Sequence, residues 1–298
     1  MLEIIAAGVL TYPQIDPILI EFGPVAIRWY SLAYITGILY VWWAIRRLSQ
    51  KPGAAMSGAH IDDFITWAVF GVILGGRLGY VLFYNLNAYL QDPIAILRLW
   101  DGGMSFHGGF AGVVISVIFY CRKHKLDLMR VSDVIAIVSP IGLLVGRTAN
   151  FINGELWGRP TDVPWAMVFP ADPLGLSRHP SQLYEAIGEG LILFILLQYL
   201  YHKTRIAKEM PGVLAAIFMG GYGLARILLE FVREPDAHLG LMAGISRGQM
   251  LSVPMFLLAA WLVSKGIRHK AKLKANPKRA KSQPKSSAKP PVKSSGQK

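Results

Sequence analysis

A single cysteine in 298 residues, Cys121, leaves no partner for an internal disulfide and no thiolate set for a metal cluster. Charge is scarce as well: 16% of the residues are charged and 53% are hydrophobic, too apolar a balance for an ordinary soluble domain. No His-x-x-x-His, Cys-x-x-Cys or Gly-Lys-Ser/Thr pattern occurs, so metal-ligand and nucleotide-phosphate loops have no sequence support. The first residues, Met1-Leu2-Glu3, lack a basic region, and the apolar run from Ile4 to Leu10 is short, which argues against a cleavable leader. The net charge of +13 is a property of one end: from Lys265 onward there are twelve Lys/Arg and no Asp or Glu. The body is left near +1, which excludes a nucleic-acid-binding face.

Seven apolar segments fill that body, at about Ala26–Ile45, Phe64–Tyr84, Phe106–Tyr120, Val131–Phe151, Leu183–Tyr201, Val213–Val232 and Met250–Val263. Most approach the ~20 residues a spanning helix needs, and the third and seventh fall short unless flanking residues join them. All lysines fall after the first, third, fifth and seventh segments, at Lys51, Lys123 and Lys125, Lys203 and Lys208, and in the tail. By the positive-inside rule these regions are cytoplasmic, which predicts an all-α integral membrane protein of seven transmembrane helices. Its N-terminus lies outside and its C-terminus in the cytoplasm. Residues 1–264 form the membrane domain, and residues 265–298, rich in Lys, Ser and Pro, read as a disordered basic tail. Glycine rows at 71/75/79, 108/112 and 142/146 have the spacing that lets helix backbones approach closely in lipid.

The nine basic residues outside the cytoplasmic regions are all arginine. Arg147 and Arg226 sit within apolar segments, where a guanidinium costs at least ~2.5–3.5 kcal/mol. Counting from the cytoplasmic ends at ~1.5 Å per residue puts Arg77, Arg147 and Arg226 roughly 21–24 Å along their helices. Tyr30, His107, Asn150 and Glu230 fall at a similar level, in the outer half of the bilayer. A planar guanidinium fork suits phosphate or carboxylate, so the pattern points to an anion site. The alternatives stay open: Arg226 and Glu230, four apart, also fit a structural ion pair. His107 also fits a helix cap, and Arg77 a structural pairing. Arg147 has no acid within one turn of its own helix. Glycines around His107 can bring backbone N–H groups close to an anion. Cys121 reads as a surface or interfacial residue, and His124, His202 and His269 as solvated.

Together the run Gly146-Arg147-Thr148-Ala149-Asn150-Phe151-Ile152-Asn153-Gly154-Glu155-Leu156-Trp157-Gly158-Arg159 resembles the signature of the bacterial phosphatidylglycerol–prolipoprotein diacylglyceryl transferases. Phe106-His107-Gly108-Gly109, Arg178-His179-Pro180-Ser181-Gln182-Leu183-Tyr184-Glu185, and Arg226-x-x-x-Glu230-Phe231-x-Arg233 continue the resemblance in order. Gly23-Pro24 and Trp29-Tyr30 extend it toward the N-terminus, and only the tail departs from it. The resemblance implies transfer of the diacylglyceryl group of phosphatidylglycerol to the lipobox cysteine of an exported prolipoprotein. The products are a thioether and glycerol phosphate, and no cofactor takes part. It places the chain in a bacterial inner membrane with its site toward the outer leaflet. Its partners are phosphatidylglycerol, the prolipoprotein signal peptide with its lipobox cysteine, and the lipid bilayer.

The same resemblance implies catalytic roles for His107, Arg147, Arg226, Glu155 and Glu230. Substrate contacts fall to Tyr30, Asn150, Asn153, Gly108, Gly109, Gly158 and Arg233. The chemistry fits these residue types. Fixed cationic donors stabilise a leaving phosphate, and a group titrating near neutrality can assist a thiol of pKa ~8.5. Two other classes compete. A transporter or lipid flippase would relay an anion through the arginines, but such sites favour the midplane of repeated halves, and no internal repeat is visible. A seven-helix receptor has only its helix count in favour.

Overall fold

Close glycine contacts between two helices explain much of the architecture around residues 42–132 in the computed structural model. The structure describes residues 10–13, 15–23, 25–51, 53–234 and 247–276. The extreme N-terminus, Pro24 and the tail beyond Asn276, on which several sequence expectations rest, lie outside the described residues. The chain divides into two units, one of residues 1–41 with 133–281 and one of residues 42–132 with 282–298.

Helices occupy all seven expected apolar segments. They are α1 (Trp29–Ser49), α2 (Gly58–Phe83), the short α3 (Leu86–Gln91), α4 (Phe106–Lys123), α5 (Leu128–Ala136) and α6 (Ser139–Ile152). After two short strands come α7 (Ser181–Glu185), a π-helical turn over Ala186–Ile192, α8 (Leu193–Lys203), α9 (Ile206–Glu209), α10 (Val213–Leu229) and α11 (Arg247–Ala275). Three stretches are long and apolar enough to cross a membrane: Gly58–Phe83, Leu128–Ile152 and Ser181–Lys203, with Val213–Leu229 a shorter apolar helix. The chain is therefore a mostly helical protein with membrane-type helices.

The all-α expectation needs a correction. Strands β1 (Leu10–Thr11), β4 (Met167–Val168) and β5 (Ser177–Arg178) form one small sheet, ordered β1-β4-β5. Strands β2 (Ile18–Phe22) and β3 (Val25–Arg28) form an antiparallel hairpin. Two-residue strands carry no readable alternation, which is why the pattern hides them.

In the unit of residues 42–132, α2 and α4 meet along the predicted glycine rows. A Cβ on Gly79 would lie 2.7 Å from the Gly108 Cα, and one on Gly71 would lie 2.7 Å from the Gly112 carbonyl oxygen. Any side chain here pushes backbone against backbone. Gly112→Ala is thus expected to lower thermal stability in detergent by roughly 1–3 kcal/mol through overpacking, measurable as a drop in Tm. An unchanged Tm would mean the helices separate without cost. The row at Gly142 and Gly146 differs: a Cβ at either would meet nothing within 4 Å, so close packing is not what places glycine there.

Arg77, 3% exposed in this unit, pairs with no carboxylate among the described residues. Its five N–H groups all meet carbonyls of the next segment: Nε donates to Ile96 (2.9 Å), Nη2 to Ala95 (2.6 Å) and Arg98 (2.9 Å), and Nη1 to Gly102 and to Gly103 (3.1 Å). A guanidinium has five donors, so this side chain is fully committed as a clamp. Cys121 is buried at 2% exposure, against the surface or interfacial position expected of it. His124 is half-buried, 3.6 Å from Asp63, and is not the solvated side chain the sequence suggested.

In the other unit, buried Asp133 accepts from the backbone N–H of Gly212 (2.8 Å) and Ala215 (2.9 Å). A carboxylate there satisfies orphan donors at the start of α10 and complements its dipole. Tyr12 caps the other end of a helix, donating to the carbonyls of Phe151 (2.5 Å) and Ile152 (2.9 Å) where α6 stops. Its ring packs with Phe151 and Phe169 in a small core joined by Trp157, Met167 and Leu183. Gly190 lets the π-helical turn touch α6, since a Cβ would come within 2.8 Å of the Leu144 backbone. Helix α11 continues past the expected boundary at Lys265 to Ala275, tied by Lys270 to Glu209 at 2.9 Å. Residues 265–275 are therefore helical, and half-buried His269 lies among them.

Candidate active site

Four elements of the unit of residues 1–41 and 133–281 converge on one buried charge cluster. Helix α6 supplies Arg147, α7 ends on Glu185, the π-helical turn carries Glu189, and α10 supplies Arg226 with Glu230 at its C-cap. Arg233 follows α10. Glu185 is wholly buried and lies at the centre: Arg226 Nη1 is 2.8 Å from its Oε1, Arg147 Nη1 3.3 Å from its Oε2, and Arg233 Nε 3.6 Å from Oε1. Glu189, also wholly buried, takes Arg147 Nη2 at 3.4 Å. Arg226 Nη2 also reaches Glu230 at 3.3 Å, the pairing four residues apart.

Three guanidinium groups thus face three carboxylates, and the cluster is near neutral. It is nonetheless under-bonded: Glu185 Oε2, Glu189 Oε1 and Glu230 Oε2 are buried with no aligned hydrogen-bond donor. Arg147 and Arg226 keep 18% and 13% of their side-chain surface open. The π-helical turn contributes to this geometry, because an i→i+5 turn widens the helix and re-aims its side chains, a device frequent at functional sites.

The reading of Arg147 as an arginine with no acid on its own helix is true but incomplete, since both its partners come from across the bundle. Glu185 and Glu189 were not singled out in the sequence. Their signal was there: two carboxylates four apart at the start of an apolar run, opposite in sign to Arg147 and Arg226. Arg226 and Glu230 do form an ion pair, yet Arg226 holds its shorter contact to Glu185.

Beside this cluster the chain leaves α6 in a tight polar turn. Asn150 Nδ2 donates to Glu155 Oε1 at 2.9 Å, and Asn153 Nδ2 donates to the same oxygen at 3.2 Å. Gln182 Nε2 holds the Glu155 carbonyl at 2.7 Å. The turn needs left-handed backbone at Gly154 (φ 64°) and at Leu156 (φ 60°). At leucine this conformation is strained, which fits a segment fixed by its surroundings. Tyr30 lies within electrostatic reach of both Glu155 and Arg147, and its hydroxyl is 3.2 Å from that of Tyr34.

Gly158 acts by absence of a side chain. It bridges to Arg233, and a Cβ would lie 2.5 Å from the Val232 carbonyl oxygen and 2.8 Å from that of His179. Arg159 reinforces the seam, its backbone N–H donating to Val232 O (2.8 Å) and its Nε to Arg233 O (2.9 Å). The seam fixes the backbone that carries Arg233.

His107 is exposed in the first turn of α4, in the unit of residues 42–132. The glycines after it are helical. Gly108 N–H donates to Ser105 Oγ at 3.2 Å and Gly109 N–H to Ser105 O at 2.9 Å. Those donors are spent on the helix N-cap, and Gly108 also packs on Gly79. This accounts for glycine at 108 by helix packing and not by an N–H cradle.

The long loop after Asn153 is organised by one ion pair. Buried Arg178 grips buried Asp172 with two bonds, Nε to Oδ2 at 2.6 Å and Nη2 to Oδ1 at 3.2 Å, and Asp172 also accepts from the N–H of Leu174 and Leu176. The bond from Arg178, more than the loss of solvent opposing it, holds the Asp172 carboxyl below its ordinary range. A carboxyl depressed in the folded state stabilises the loop at all pH above its unfolded value of ~3.9, and that contribution is lost as pH falls through the folded value. Proteolytic nicking between 160 and 178 is expected to rise only below about pH 4. Onset at pH 6 would implicate another group.

Comparison with known proteins identifies the family. The sequence profile of the prolipoprotein diacylglyceryl transferases matches residues 17–265. A phosphatidylglycerol–prolipoprotein diacylglyceryl transferase of Rhodospirillum rubrum is 55% identical over 252 residues, covering 83% of this chain and 91% of the relative. Proteins with that name from Azospirillum brasilense (53% identical, 88% of this chain, 98% of the relative) and Allorhizobium ampelinum (51%, 86% and 91%) are similar. With the arginine–glutamate cluster lying inside the matched region, this chain belongs to the prolipoprotein diacylglyceryl transferase family.

Proposed function

We propose that this protein transfers the diacylglyceryl group of phosphatidylglycerol to the lipobox cysteine thiol of exported prolipoproteins, the first step of bacterial lipoprotein maturation. The observation that carries the reading is the buried arginine pair held by Glu185, within a family whose relatives are named for this reaction. In the step itself the substrate thiolate forms a bond to the glyceryl carbon while the carbon–oxygen bond to phosphate breaks. The thiol proton passes to a base, and glycerol phosphate leaves as an anion.

Negative charge grows on the departing phosphate, and Arg147 and Arg226 are the fixed donors for it. A phosphate entering on their open faces meets guanidinium groups whose carboxylate partners are only loosely bonded. Asn150, Asn153 and Glu155 shape the adjoining wall with Tyr30, while Glu230 and Arg233 complete the charge cluster. By the family resemblance His107 assists thiol ionisation, with Gly108 and Gly109 as substrate contacts. The membrane arrangement that supports this is seven spans in a bacterial inner membrane, the N-terminus outside, the C-terminus cytoplasmic and the site toward the outer leaflet. Lysine placement is its support.

The test is direct. Purified protein with phosphatidylglycerol and a lipobox peptide should release glycerol phosphate and yield a lipidated peptide. Serine in place of the lipobox cysteine should give neither. Release of glycerol phosphate in the absence of peptide, with diacylglycerol as the other product, would indicate a phospholipase C reaction instead. His107→Gln should slow single turnover more at neutral pH than at pH 9, where a thiol of pKa ~8.5 is already largely ionised. An equal defect at both pH values would assign His107 to positioning.

A further inference from the structure

Between α2 and α4 runs a segment whose outer surface is apolar far beyond the needs of a loop. Leu90 is 69% exposed, Ile94 70%, Leu97 74% and Trp100 79%, with Leu86 and Leu99 also exposed. Isolated exposed hydrophobes are ordinary, but a contiguous row of them marks an interaction surface. The charged groups in and just past the segment are tied to one another: Arg98 pairs with Asp92 at 2.7 Å and with Asp101 at 3.0 Å. The row also continues an existing apolar face. Leu74, Leu78, Leu82, Phe83 and Tyr84 are exposed along and just past the end of α2, a helix long and apolar enough to span a bilayer.

The backbone supplies the second argument. Irregular chain beside hydrocarbon is costly unless its carbonyls find partners within the protein. Arg77 meets that requirement, its five donors taking the carbonyls of Ala95, Ile96, Arg98, Gly102 and Gly103. Its guanidinium also lies 5.2 Å from the Tyr89 ring centre. In water those carbonyls would need no such cage. We propose that the segment Leu86–Trp100 lies in the bilayer interface at the Phe83 end of α2. Its aliphatic side chains enter the acyl region, Trp100 sits at head-group level, and Arg77 keeps the buried backbone satisfied.

Single cysteines at Leu97 and Asp92 test this in the full-length protein reconstituted singly into phospholipid nanodiscs, with unmodified protein as the blank. A membrane-impermeant maleimide should label Leu97→Cys at least about tenfold more slowly than Asp92→Cys, as expected of a side chain below the head groups. A solvatochromic probe attached at position 97 should be quenched by brominated acyl chains, and one at position 92 should not. Equal labelling rates overturn the proposal. So does slow labelling at 97 without quenching by brominated lipid, because protein rather than lipid would then cover the row. Arg77→Lys, which cannot serve five carbonyls, should raise the labelling rate at 97 toward that at 92. No change there would show that the cage does not hold the segment in place.

Discussion

Arg147→Lys and Arg226→Lys are each expected to reduce turnover by ~10²-fold or more while the protein remains folded, because a point charge replaces a planar fork. Lysine preserves the charge balance against Glu185, Glu189 and Glu230, so the cluster stays neutral. What it removes is the second N–H that each arginine needs to hold a carboxylate and face a phosphate at once. Arg147 reaches Glu185 through Nη1 and Glu189 through Nη2, and Arg226 divides its Nη atoms between Glu185 and Glu230. Loss of one preorganised donor to a developing anion costs ~2.7–4 kcal/mol in acyl-transfer enzymes, and a comparable loss here gives the stated factor. Steady-state turnover with lipid vesicles and a lipobox peptide measures it. Near-normal rates in both variants would reduce the arginines to structural counter-ions.

Glu185→Ala should fail differently, through stability. The side chain is wholly buried and contacts three guanidinium groups. Deleting one partner of a buried ionic group leaves charge uncompensated and costs ~3–5 kcal/mol, much of a typical folding free energy. Glu185→Gln keeps the shape and the acceptor oxygen but not the charge, so it should fold better than the alanine variant. Its cluster would carry one excess positive charge and should still turn over slowly. Thermal unfolding in detergent separates the two variants. If Glu185→Ala melts with the parent protein, the cluster is wetter than its burial implies.

The apolar helices and the buried positions of Arg147 and Arg226 were legible in sequence for a simple reason: the length of an apolar run and the cost of a charge within one act on composition directly. Seven apolar runs each became helix, and the glycine row through 71, 75 and 79 became a helix contact. Arg77 was ambiguous because its partners are backbone carbonyls, which no residue identity announces. Glu185, quoted only as the end of a motif, and Glu189 were given no role because a carboxylate near the start of an apolar run reads as a helix end until the fold brings arginine to it. Cys121 and His124 were misjudged for a related reason. The basic residues around them suggested solvent, whereas α4 extends to Lys123 and buries the cysteine on its inner side. Glycine spacing alone did not separate Gly108, packed on Gly79, from Gly146, which faces open space.

The seclusion of Cys121 has a chemical consequence for an enzyme of this kind. A catalyst that presents an alkylatable glyceryl carbon to thiolates is exposed to alkylating itself, a suicide reaction that ends turnover. Any thiol of its own within reach would compete with the incoming substrate at every cycle. Here the sole sulfhydryl is 2% exposed, so it competes poorly for any electrophile. The same seclusion makes the unaltered protein a quiet background for thiol-directed chemistry, in which every label reports on a cysteine the experimenter has added.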